Sequence, residues 1–224
     1  PRAKGHYDRQ QAALEEALQT PVWDGPFVSG TADKYLLCPF EYSLALCEIA
    51  DVVLCDYNYA LDPQIRLSRV FDHLRRITLL IDEAHNLPDR TRDMLSGSLD
   101  AGQLRDFRRE AGRLHGRNSP LYRACTEMIR LTEQADLPQA DDLEQASNGL
   151  LQALGDAFTP GSLHLIRDLV SFLGALRRCG EQPGDYTLMH QAGRDKGRIT
   201  VLNLNPAPYL TEATRRLSGC VFYS

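Results

Sequence analysis

Ile77-Thr78-Leu79-Leu80-Ile81-Asp82-Glu83-Ala84-His85 is the stretch from which the fold can be read. Its first five residues form a short apolar run of the kind found in buried strands. The next two are carboxylates. Side chains alternate across a strand, but at a strand-to-loop exit both carboxylates can converge on one point. An aspartate there can hold magnesium directly or through water, and the glutamate beside it can orient and deprotonate an attacking water. The competing reading is a solvated loop that caps the next helix, since a bare Asp-Glu after an apolar run is common by chance. Ala84 and His85 narrow the field, with His85 placed to sense a bound phosphate. No Gly-rich loop ending in Gly-Lys-Ser/Thr occurs in the 224 residues, so part of a nucleotide-driven motor is expected rather than all of one.

Upstream, Ala50 to Cys55 reads as a second continuous apolar strand, which would bury Cys55. A helix is expected from Pro63 to about His73. Two such strands separated by a helix predict a parallel sheet covered by helices. The strand exits are then the ligand-binding edge, where Asp56-Tyr57-Asn58-Tyr59 also falls. Nearer the start, Asp8 and Gln11 suit a capping box for one helix, and Pro39 with Glu41 opens another that runs to Ile49.

Downstream the character changes after about Met94. Helical patterns fall near 99–112, 119–134, 141–158 and 160–178, with almost no strand pattern. The last has Thr159 to cap it, Pro160 in its first turn and an apolar stripe of Leu165, Leu169, Phe172 and Leu176. Strand-like sequence returns at Ile199–Leu204, a helix follows near 209–217, and Val221-Phe222-Tyr223 is a last strand. The expected layout is an α/β core with a parallel sheet, interrupted by a helical insertion.

Composition sets loose bounds. Twenty-five basic against thirty acidic residues give a charge of -5, which leaves room for a locally basic groove. No apolar run approaches the roughly 18–20 residues of a membrane span. Six scattered cysteines without a C-x-x-C pair argue for free thiols in a reducing, cytoplasmic setting. Both ends read as cuts: Pro1 has no run-in, and Ser224 comes directly after a strand.

The run Ala50-Asp51-Val52-Val53-Leu54-Cys55-Asp56-Tyr57-Asn58-Tyr59-Ala60-Leu61-Asp62-Pro63, followed by Leu80-Ile81-Asp82-Glu83-Ala84-His85-Asn86-Leu87, closely resembles the iron-sulfur superfamily 2 DNA helicases, the XPD/DinG-like enzymes, and looks like a bacterial member. The resemblance is strong in 1–94 and 199–224 and weak between them. It implies a partial RecA-like P-loop motor domain at 50–94 and 196–224, the later part of an iron-sulfur cluster domain at 1–49, and a helical arch domain at 95–195. It also implies ATP, Mg2+ and a [4Fe-4S] cluster as cofactors, with single-stranded DNA and forked or structured duplex as partners of a monomer that does not associate with membranes. Translocation would run 5′ to 3′. Asp82, Glu83 and His85 would serve Mg-ATP hydrolysis. Cys38 resembles the last of the four cluster ligands, whereas Cys47 reads as a packed helical cysteine. Without the phosphate loop and a second motor domain, the isolated chain is expected to be inactive.

For DNA the candidates are Arg2, Lys4, Tyr7 and Arg9, with His6 among them, as a basic and aromatic cluster beside the cluster site. Tyr57, Asn58 and Tyr59 are a second group. The plain readings are a solvated helix start and packed tyrosines. Arg66, Arg69, Arg75 and Arg76 read mainly as a solvated face. The insertion mixes signs and reads as a wall or gate. Two alternatives remain open: an ATP-dependent exonuclease relative, and a non-catalytic DNA- or protein-binding scaffold.

Overall fold

The computed structural model describes residues 5–71, 77–158, 160–193, 196–215 and 217–224. Arg2, Lys4, Arg75, Arg76 and the Thr159 cap lie outside them. The chain divides into two compact units. One joins the residues up to Ala60 to Arg66–Thr78, and the other joins Leu61–Ile65 to Leu79–Ser224.

The first unit is helical: α1 (His6–Ala17), α2 (Gly25–Lys34), α3 (Pro39–Cys47), α4 (Asn58–Leu61, whose last residue belongs to the second unit) and α5 (Ser68–Phe71). Its core gathers Ala13, Ala17, Ala32, Tyr42 and Leu46, with Trp23 and Phe27 packed against them. Small residues on α1 let the aromatic rings approach its backbone. There the Tyr42 hydroxyl donates to the Ala13 carbonyl at 2.8 Å and Trp23 Nε1 to that of Ala17 at 2.8 Å. Asp24 caps α2 by accepting the Phe27 N–H at 2.9 Å, as short polar side chains do at helix starts.

Three expectations fail in this unit. Asp8 does not cap α1, which begins earlier because Gly5 enters it at φ 79°, a left-handed turn that glycine adopts without strain. Ala50–Cys55 forms no strand: Val52 is 78% and Leu54 94% exposed, and Cys55 is exposed too. A strand exists through its partners, and none among the described residues pairs with this run. Of the helix expected over 63–73, residues 72 and 73 lie outside the described residues, and among the rest only the short α5 forms.

The second unit runs β1 (Thr78–Ile81), a 3-10 turn at Ala84–Asn86, α6 (Leu87–Leu95), β2 (Gly97–Asp100), α7 (Ala101–Leu114), α8 (Pro120–Glu133), α9 (Ala140–Asp156), α10 (Leu163–Glu181), β3 (Tyr186–Gln191), β4 (Arg198–Asn203), α11 (Ala207–Arg215) and β5 (Gly219–Phe222). The fold class is the mixed α/β one expected. β1 and β5 pair. Tyr223 donates to the Ile81 carbonyl and accepts from Ala84 in the turn that follows β1, which is the parallel pattern.

β4 does not join that pair. It is the centre of an antiparallel sheet ordered β2-β4-β3, with Leu99 opposite Ile199 and Leu188 opposite Val201. β2 and β3 arise in the segment read as helical with almost no strand pattern. The sheet packs on α10, whose Leu165, Leu169, Phe172 and Leu176 are all buried as the stripe predicts. Gly97 makes this possible, since a Cβ there would sit 2.5 Å from the Phe172 Cα. β1 is less buried than its apolar run suggests. Ile81 is buried but Leu80 is 68% exposed, because two strands leave most of a sheet face uncovered.

Candidate functional site

β1 ends on the buried Ile81, which anchors the acidic turn. Asp82 Oδ1 accepts the N–H of Glu83 at 2.8 Å, closing that turn tightly at the strand exit. Glu83 then takes φ 51° and ψ 39°. This left-handed conformation strains a residue with a Cβ, and such strain gathers at functional sites. It ends strand geometry at once. The 3-10 turn comes next, with the Asn86 N–H donating to the Glu83 carbonyl at 2.9 Å. His85 Nδ1 lies 3.4 Å from Glu83 Oε2, and both side chains are more than half exposed. Leu87 is buried and starts α6, with Pro88 in the first turn and Asp89 beside it.

The turn is held from the other strand as well. The Tyr223 N–H donates to the Ile81 carbonyl at 3.1 Å, and the Tyr223 carbonyl accepts the Ala84 N–H at 3.0 Å. One residue's backbone thus brackets both ends of Asp82-Glu83. Sequence reasoning placed a strand at Tyr223 but gave that residue no part in the site. The signal was its place at the end of the last strand, where a parallel neighbour meets the exit of β1.

Glu83 and His85 therefore meet through their side chains, while the Asp82 carboxylate is joined to Glu83 through the backbone N–H. Their chemistry fits a magnesium nucleotide. Mg2+ is commonly held by one or two carboxylates and the substrate's own phosphates, and a carboxylate with one oxygen engaged by a backbone N–H keeps a second for a cation. A [4Fe-4S] cluster fits less well. It requires four ligands, and among the described residues no group of three or more His, Cys, Asp or Glu side chains could hold a metal. Cys38 is exposed at the start of α3 and shares a shallow recess with His6, Gln10, Leu37, Glu41 and Tyr42. The described residues do not by themselves accommodate the cluster. Cys47 is partly buried in α3, and burial pushes its thiol up, as for a packed cysteine.

The nucleic-acid candidates divide. Tyr7 is 72% exposed and stands edge-on to His6, with ring centroids 5.7 Å apart. Arg9 is half-buried on α1. Tyr57 and Asn58 are half-buried and Tyr59 is 40% exposed. Asp56 accepts the Asn58 N–H at 2.9 Å and so starts α4. Arg69 is tied to Glu48 at 2.5 Å and Glu41 at 3.3 Å, a structural clamp. Arg66 lies over the Phe71 ring at 5.6 Å. No helix among the described residues is long and apolar enough to cross a membrane.

Residues 3–104 match the DEAD_2 family. The Fanconi anemia group J protein homolog of Gallus gallus is 37% identical over 106 residues, covering 47% of this chain and 8% of that protein. The regulator of telomere elongation helicase 1 of Mus musculus is 30% identical over 143 residues (64% and 11%), and that of Bos taurus 28% over 141 (63% and 11%). The chain thus spans about a tenth of the length of these relatives. All three are vertebrate proteins and do not bear on the bacterial origin expected from the sequence. The matched segment holds both Cys38 and the acidic turn, and over it the chain is similar to the DEAD_2 family and to these relatives.

Proposed function

We propose that the chain is part of an ATP-dependent DNA helicase that translocates 5′ to 3′ along single-stranded DNA and opens forked or structured duplex, working as a cytoplasmic monomer. The strained Glu83 beside Asp82, bracketed by the Tyr223 backbone, is the observation that carries this reading. Asp82 holds the magnesium of the nucleotide, which when bound neutralises phosphate charge. Glu83 orients the attacking water and takes its proton. His85, 3.4 Å from Glu83, reports the state of that carboxylate to the turn and so to Tyr223. The relatives named as helicases support the motor reading, and the DEAD_2 match over residues 3–104 supports its place in the first motor domain.

In this reading 1–49 is the later part of a cluster domain, with Cys38 as one of four ligands. Segments 50–94 and 196–224 belong to the RecA-like core, and 95–195 forms the arch. Arg2, Lys4, Tyr7, Arg9, Tyr57, Asn58 and Tyr59 line the path of the single strand. These 224 residues contain no Gly-Lys-Ser/Thr loop, so the chain alone hydrolyses no ATP.

The test is DNA-stimulated ATP hydrolysis by a longer protein that joins this chain to a phosphate loop and a second motor domain, beside its Glu83→Gln variant. Stimulation by single-stranded DNA that collapses in the variant supports the reading. No hydrolysis in the cluster-loaded protein moves the weight to a scaffold.

A further inference from the structure

The strongest basic feature lies away from the acidic turn, on α7 and α8. Between Ala101 and Arg123 the sequence has six arginines, no lysine and two acids, in a chain of net charge -5. Arg105, Arg109 and Arg113 recur every fourth residue on α7, so they share one face. With Arg108 and with Arg117 from the following loop they surround a cavity of about 290 Å³. Tyr122 of α8 completes the wall, and the Arg108 guanidinium lies 5.5 Å from the centre of its ring.

The site is built rather than incidental. Gly112 faces Tyr122 so closely that a Cβ would lie 3.1 Å from the ring; the absent side chain is what seats the tyrosine. The ring in turn holds Arg108 by a cation–π contact. Glu133 engages Arg105 and Asp106 engages Arg109. Arg108, Arg113 and Arg117 have no carboxylate partner among the described residues. Guanidiniums crowded around one cavity repel each other until an anion enters.

We propose that this pocket binds the phosphodiester backbone of a single nucleic-acid strand. Arginine forks match phosphate oxygens bidentately, and arginine mixed with an aromatic ring is the pattern of sequence-tolerant strand binding. The inference deepens the motor reading by giving the helical module a grip of its own on the strand. It does not need ATP.

The experiment is equilibrium binding of a fluorescein-labelled oligo-dT by the 224-residue chain, by anisotropy across a salt series. Arg108→Ala/Arg113→Ala is compared with Arg130→Ala, an exposed arginine on α8 outside the pocket, with circular dichroism to confirm both fold. The double variant is expected to bind about ten-fold more weakly, with the slope of log K on log salt reduced by about 1.4, or about 0.7 for each lost single-strand contact. Arg108→Lys/Arg113→Lys should restore part of the affinity. Unchanged affinity and slope in the double variant overturns the proposal. So does loss of poly-glutamate binding with oligo-dT binding intact, which assigns the pocket to an acidic protein segment. A pocket that binds while the longer protein hydrolyses no ATP refutes the motor reading alone.

Discussion

Replacing Glu83 by glycine should stabilise the fold while ending any hydrolysis. Glu83 sits at φ 51° and ψ 39°, and an L-residue in that region carries about 1–2 kcal/mol of strain that glycine avoids. Against this, glycine gives the unfolded chain more freedom, worth roughly 0.5–1 kcal/mol. The lost contact to His85 adds little, since both side chains are more than half exposed, and such pairs contribute about 0–1 kcal/mol. The balance is a gain of about 0.5 kcal/mol for Glu83→Gly. Glu83→Ala keeps the strain and loses the same contact, so it should be the less stable of the two. Urea unfolding of the chain monitored by far-UV circular dichroism reads the difference as a shift in midpoint at constant slope. A glycine variant less stable than the alanine variant refutes the claim that strain is stored at this residue. In the longer protein both variants should fail to hydrolyse ATP.

Gly97→Ala should lower the melting temperature sharply. Its Cβ would lie within 2.7 Å of the Phe172 and Ser171 backbones, and overpacking of this kind costs about 1–3 kcal/mol or more. Gly149→Ala, in α9 with open space around its Cβ, should raise it by the equivalent of about 0.5–1 kcal/mol, so thermal melts should move in opposite directions. Tyr42→Phe leaves the Ala13 carbonyl without its 2.8 Å bond and should destabilise the first unit by about 1 kcal/mol, read from Trp23 fluorescence in urea. The Glu16 carboxyl is held below its ordinary 4.5 by hydrogen bonds from Lys34 and then Tyr35. Its stabilisation is thus present above 4.5 and disappears as pH falls through the lowered folded value. Glu16→Gln should accordingly weaken the first unit at neutral pH and match the parent in acid, by the same fluorescence.

Local chemistry was legible wherever one segment decides its own structure. The acidic turn comes from an apolar run meeting two carboxylates. α8 and α10 come from their apolar periodicity. The features that sequence reading missed were set by distant neighbours. Val52-Val53-Leu54 has strand composition yet stays exposed, while Gly97-Ser98-Leu99-Asp100 lacks it and is paired with β4. Composition states how well a residue suits a sheet; only a partner makes the strand. The arginine pocket was obscured in the same way. Read linearly, Arg105–Glu110 mixes signs, and only the turn of the helix sorts the arginines to one side. The left-handed Glu83 had no signature at all, because its strain is imposed by the strand exit and by Tyr223.

The Ala84–Tyr223 contact has a consequence for biosynthesis. The two residues are separated by about 140 positions, and a ribosome adding about 5–20 residues per second takes roughly seven to thirty seconds to cover them. For all of that time the acidic turn is exposed to the cell without the strand that shapes it. The helical unit between them can fold first, shortening the gap that β5 must then close. A nascent chain thus passes through a stage in which Asp82 and Glu83 are present but not yet set by the Tyr223 backbone.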